Sequence, residues 1–167
     1  IEKLFKLGIE KVVINSALST NLNLITEAAN IFGSQSIVAS IDVKKDWLGK
    51  QQAYTVSGSK KVKTPLLAFI QQIEESGVGE LFINSIDLDG TFSGYDYSLI
   101  SKISEISSLP LVICGGAKQA SDFLTAVQHG ASAVAASSMF VYQGAQKGIL
   151  ISYPSQEKLV AEVYQHI

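Results

Sequence analysis

Apolar residues in this chain come in short dense blocks that do not alternate with polar ones. Five blocks are rich in branched side chains: KVVIN (11–15), SIVASIDV (36–43), ELFINSID (80–87), LPLVICGGA (109–117) and ASAVAASSMF (131–140). A near-continuous apolar run of this length predicts a parallel strand covered on both faces, because a strand with one wet face would alternate. Between the blocks, apolar positions recur at helical spacing. NLNLITEAANIF (21–32) puts Leu22, Leu24, Ile25, Ala28, Ala29 and Phe32 on one stripe. TPLLAFIQQIEESG (64–77) carries Pro65 near its start and Gly77 at its end, the usual punctuation of a helix. YSLISKISEISS (97–108), QASDFLTAVQHG (119–130) and SQEKLVAEVYQH (155–166) complete the helical set.

Strand and helix therefore alternate along the whole chain, which predicts an α/β fold with a parallel sheet. Five strands fit either an open doubly wound sheet or part of an eight-stranded barrel. The opening segment IEKLFKLGIEKVVI reads as the tail of a helix begun earlier. Three further βα units would bring the length near the ~250 residues of a (β/α)8 TIM barrel. The expectation is a single partial TIM-barrel domain over 1–167, lacking its three N-terminal βα units.

Composition narrows the chemistry. The chain is 47% hydrophobic with 13 basic and 15 acidic residues, net charge −2. Its mean hydropathy is +0.25, yet no apolar run approaches the ~20 residues of a membrane span. No basic face is evident, so neither nucleic acid nor membrane is expected as a partner. One cysteine excludes an internal disulfide and fits a cytoplasmic location. Only His129 and His166 occur, away from any carboxylate cluster, so no metal is expected.

The candidate chemistry sits at the C-terminal ends of the strand blocks, which in a barrel converge on one rim. Gly90, Gly115, Gly116, Ser137 and Ser138 are small residues there, suited to bringing a phosphate against backbone N–H groups. The alternative is that Gly115-Gly116 makes a tight turn and the serines cap a helix. Asp42 ends a buried block and is either a general acid/base or a turn-capping carboxylate. Asp87 reads as structural, holding its loop through backbone hydrogen bonds, whereas Asp89 beside Gly90 is the better ligand candidate. The long connection DWLGKQQAYTVSGSKKVKT (46–64) is either a mobile lid or a solvated hairpin. Lys11 and Glu80 start their strands, where a salt bridge is the default reading. Trp47, Cys114 and Met139 read as core or lining, and Tyr95 as packing locally.

The pieces GIEKVVINSA, IFGSQSIVASIDVKK, GELFINSIDLDGTFSGYD, ICGGA and GASAVAASSMF occur in this order over nearly the whole chain. In that set the sequence resembles the cyclase subunit of imidazole glycerol phosphate synthase, a (β/α)8 barrel. The resemblance implies a heterodimer with a glutaminase docked at the barrel bottom. Ammonia would cross the barrel to a bis-phosphorylated, ribulosyl-type aminoimidazole carboxamide nucleotide, with no cofactor. Asp42 matches a catalytic aspartate whose partner would lie on the first strand. Asp89, Gly90, Gly116, Ser137 and Ser138 match one phosphate site, Asn15 and Ser16 the other, and Ser57 a loop over the substrate. Lys11 and Glu80 match a charged gate at the tunnel entrance, and Glu10 a glutaminase contact.

The sequence departs from the family at Asn84, in the substrate-facing stretch where threonine is usual, at Val13, where serine is usual, and over FVYQGAQKGILISYPS (140–155). These departures resemble a divergent branch associated with lipopolysaccharide synthesis. The alternative reading is thus an ammonia-channel partner in amidation of a surface-polysaccharide sugar, without cyclase activity. A weaker third is another phosphate-binding barrel, against which the Lys11/Glu80 pair argues. With strand edges unpaired, the chain alone is expected to be inactive and to self-associate.

Overall fold

A computed structural model describes residues 1–144 and 146–167. A short helix α1 (Glu2–Lys6) leads into β1 (Val12–Ile14). After a 3₁₀ turn at Ser16–Ser19 come α2 (Leu22–Phe32), β2 (Ile37–Lys45), β3 (Gln51–Thr55) and β4 (Lys60–Lys61). Then follow α3 (Leu66–Glu75), β5 (Glu80–Ser85), α4 (Tyr97–Ser104), β6 (Leu111–Cys114), α5 (Ala120–Gln128) and β7 (Ala133–Ala135). The chain continues through α6 (Ser138–Val141), β8 (Tyr142–Gln143), β9 (Gly148–Ile149) and α7 (Gln156–Glu162).

Strands β1, β2, β5, β6 and β7 lie side by side in chain order, every pair parallel. Each is reached from the one before through a helix, the repeating unit of a barrel. The molecule is a partial (β/α)8 barrel. Helix starts are fixed by local chemistry: Asn21 Oδ1 accepts the Leu24 N–H, Asp96 Oδ1 the Leu99 N–H and Ser155 Oγ the Lys158 N–H. Gln119 and Asp122 form a reciprocal box at the start of α5.

The central strand β2 is buried on both faces as far as Val43, Ser40 excepted, as the sequence predicts, whereas burial alternates along β5 and β6, where the lumen face is partly exposed. Ile37, Ala39, Ile41, Leu81, Ile83, Leu111 and Ile113 are fully buried against Ile25, Phe69, Ile70, Leu99, Ile103 and Ala126 of the helices. The other face carries Val13, Ser40, Phe82, Asn84, Val112 and Cys114, all at least partly exposed. These residues line the barrel lumen, and with five parallel strands the lumen is open on one side. The apolar runs are nearly continuous because a barrel interior also takes apolar side chains.

Two element boundaries differ from the sequence expectation. β2 runs three residues past Asp42, because Lys44 and Lys45 pair with Gln52 and Gln51 of β3 across a turn at Asp46–Lys50. The last apolar block divides: β7 ends at Ala135 and Ser138 to Val141 are helical.

Candidate functional site

Asp42 lies on the lumen face of β2. Its register partner on β5 is Asn84, whose partner on β6 is Cys114, whose partner on β7 is Ala135. These four residues form one row across the sheet near its C-terminal end. Asp42 is buried, and burial pushes its carboxyl above the ordinary value; hydrogen bonds from the Asn84 and Asn15 amides and the Gly58 N–H offset part of that rise. A carboxyl raised in this way can hold or release a proton nearer neutrality, as an acid/base group requires. Asn84 turns its amide donor to Asp42, and its Oδ1 is buried without a partner.

Asn15 follows β1, and its Nδ2 also donates to the Ser40 carbonyl at 2.9 Å. Ser16 beside it is exposed, with only a long 3.5 Å contact to Asn15 Oδ1. The hairpin brings Ser57 close by: Val56, Ser57 and Gly58 all take left-handed backbone conformations, arching the turn back so that the Gly58 N–H meets Asp42. The 46–64 segment is a hairpin packed on the barrel, with Gln52, Ala53 and Thr55 buried. Its stalk is tied down at Asp96, which receives Lys45 Nζ and Gln51 Nε2, each at 3.0 Å. Trp47 is 90% exposed at the hairpin tip, contrary to the expectation of core or lining. The turn that pairs β2 with β3 carries it past the rim, beyond reach of any packing partner.

The phosphate-type residues come together. Asp89, Gly90, Gly115, Gly116, Ser137 and Ser138 line one small cleft beyond the ends of β5, β6 and β7. Gly116 has φ +101° and its backbone abuts the Gly94 carbonyl, so no side chain fits there. A Cβ on Gly90 would stand 3.5 Å from Ser138 Oγ. Among the described residues, the N–H groups of Gly90, Gly116 and Ala117 have no acceptor, which leaves them for an anion. The Asp89 N–H is taken by the Ser85 carbonyl, and its carboxylate charge opposes an anion; burial and that charge raise the Cys114 thiol. Cys114 is therefore a lining group held as thiol. Asp87 is structural, accepting the Lys45 N–H at 3.1 Å.

At the opposite end of the strands, Lys11 Nζ bonds Glu80 Oε2 at 2.5 Å across the start of β2. Glu10 is exposed beside it. One positioning group was given no role from sequence: Asp96, whose only signal is its place before a helical stripe. Tyr95 does not only pack locally, since its hydroxyl donates to the distant Ala135 carbonyl at 3.0 Å. Met139 does line the small cleft of Gly90, Gly116 and Ser138. Among the described residues, no three His, Cys, Asp or Glu side chains cluster as metal ligands, and no helix is long and apolar enough to cross a membrane.

A family model described as histidine biosynthesis protein matches residues 1–147. The chain belongs to that family. It is 43% identical over 159 residues to a putative imidazole glycerol phosphate synthase subunit, hisF2, of Pseudomonas aeruginosa, covering 95% of this chain and 63% of that relative. It is 41% identical over 156 residues to a putative subunit, hisF3, of Vibrio vulnificus, covering 92% and 60%. Against the imidazole glycerol phosphate synthase subunit HisF of Petrotoga mobilis it is 40% identical over 141 residues, covering 84% and 56%. The chain thus spans roughly three-fifths of the length of these curated relatives.

Proposed function

We propose that this chain forms the larger part of a cyclase subunit of the imidazole glycerol phosphate synthase type, completed by three N-terminal βα units. The observation that carries the reading is the placement of Asp42: buried on the lumen face, its carboxyl raised, with the phosphate cleft on the same rim. In that role Asp42 moves protons on the substrate, with a second carboxylate from the first strand as its counterpart. The Gly90/Gly116/Ser138 cleft holds one phosphate, Asn15 and Ser16 the other, and Ser57 covers the substrate between them. The two sites lie on strands at opposite sides of Asp42, as a long two-phosphate substrate needs.

Lys11 and Glu80 stand at the other mouth of the lumen and act there as a charged gate for ammonia. A glutaminase subunit docks at that end, with Glu10 in its contact surface. The same fold could conduct ammonia to a sugar acceptor, but the relatives compared above carry synthase-subunit names and none names such an acceptor.

The test uses the full-length protein with the bis-phosphorylated histidine-pathway intermediate and an ammonium salt at high pH, following loss of substrate absorbance. Turnover is expected, and Asp42→Asn is expected to lower kcat by at least about a hundredfold, the ordinary contribution of a general acid/base group. Absence of turnover by the folded protein, or full activity in Asp42→Asn, overturns the reading.

A further inference from the structure

A cavity of about 620 Å³ lies between Phe92, the start of α5 and residues from the stretches 139–144 and 147–158. It adjoins the phosphate cleft, since Met139 lines both. Its charge is one-sided: Lys118, Lys147 and Lys158 line it, and no described lining residue is acidic. Lys158 is shared with Glu162 only through a loose 3.8 Å pair along its own helix. Its walls are aromatic, from Phe92, Tyr142 and Tyr153. Lys147 ties the two spaces together: its Nζ donates to the Gly90 carbonyl at 3.1 Å and lies 5.3 Å from the centre of the Phe92 ring. The cavity lies on the β7 side of the cleft, away from Asp42 on β2.

Three ammonium groups, of which only Lys158 has a counter-charge and that a loose one, select an anion, and exposed aromatic faces select a planar ring. The volume suits a ligand the size of a nucleotide. We propose that this cavity is a second ligand site for a nucleoside diphosphate. The terminal phosphate seats in the Gly90/Gly116/Ser138 cleft, the inner phosphate meets Lys147 and Lys118, and the base rests against Tyr142 and Tyr153. This placement rests on the phosphate reading of the cleft, and adds to it a ligand leaving the cleft outwards rather than towards Asp42. Such a ligand shares one phosphate position with the proposed substrate, so the two exclude each other and the nucleotide acts as an inhibitor.

The experiment is isothermal titration calorimetry of the full-length protein with inorganic phosphate, ADP and adenosine. ADP is expected to bind at least about tenfold tighter than phosphate, a difference of about 1.4 kcal/mol. Lys118→Ala and Tyr153→Ala are expected each to lose most of that advantage while leaving phosphate binding unchanged. Both side chains are exposed and Tyr153 is 71% so, hence neither replacement threatens folding. ADP no tighter than phosphate overturns the outer site and leaves the cleft standing. Binding of neither ligand overturns both. An ADP advantage that survives in both variants, or adenosine binding as well as ADP, also overturns the proposal.

Discussion

Two buried aspartates show how environment, rather than residue type, assigns a role. Asp42 has amide donors but no cation, and burial wins, leaving its carboxyl above the ordinary value. Asp96 is equally buried, but hydrogen bonds from Gln51, Lys45 and the Leu99 N–H outweigh burial and hold its carboxyl below the ordinary value. The linkage signs are opposite. Asp96 contributes stability that is present above the unfolded carboxylate value and is lost as pH falls through its depressed folded value. Asp42 binds its proton more tightly when folded, so its ionised form costs stability as pH rises through its raised value. Asp42→Asn is therefore expected to be more stable than the parent at pH 7, with the gain shrinking as pH falls into the carboxylate range. Asp96→Ala is expected to lose about 2 kcal/mol at pH 7, the sum of a helix cap and a half-exposed ion pair. Urea unfolding midpoints at pH 7 and pH 4 check both; equal shifts at the two pH values would contradict the assignments.

At the scale of the element, the hairpin and the βα turns divide the labour of the rim. The hairpin stalk is fixed through Lys45, Gln51 and Asp96, so its turn can hold Gly58 against Asp42 while Trp47 stands free. Trp47→Ala is expected to change stability by less than about 0.5 kcal/mol, the ordinary range for a surface change. A large loss in thermal unfolding would show a packing role that the fold does not give it. The turn after β6 is less tolerant. Gly116→Ala drives a methyl group into the Gly94 carbonyl from a left-handed backbone, so both stability and phosphate binding are expected to fall. Calorimetric titration with phosphate on variant that still shows native circular dichroism separates the two effects. Wild-type affinity there would remove Gly116 from the proposed phosphate site.

At the scale of the whole molecule, the parallel sheet ends at β1 and β7, and the lumen face is only partly covered. Val13, on the lumen face of the edge strand, is 59% exposed. Unpaired edges of apolar strands template further pairing. The 167-residue chain alone is expected to self-associate with rising concentration in sedimentation velocity, and to lack turnover. A single monomer species over the micromolar range would show that the lumen face is content in water.

What the sequence determined by itself follows from periodicity and from glycine. The alternation of dense apolar blocks and 3.6-residue stripes specified βα units, and the small residues at 90, 115, 116, 137 and 138 marked the rim that the fold gathers into one cleft. Such signals are local, carried by residue type and spacing. Tertiary structure decided what depends on distant neighbours. The opposite charge environments of Asp42 and Asp96 are not legible in sequence, since Lys45, three residues from Asp42, pairs instead with Asp96 once the chain has folded. Trp47 is apolar enough for a core, and the turn that carries it past the rim is what leaves it in water. The lysine-lined cavity draws on Phe92, Lys118 and Lys158, far apart in the chain, and only packing places their side chains around one space.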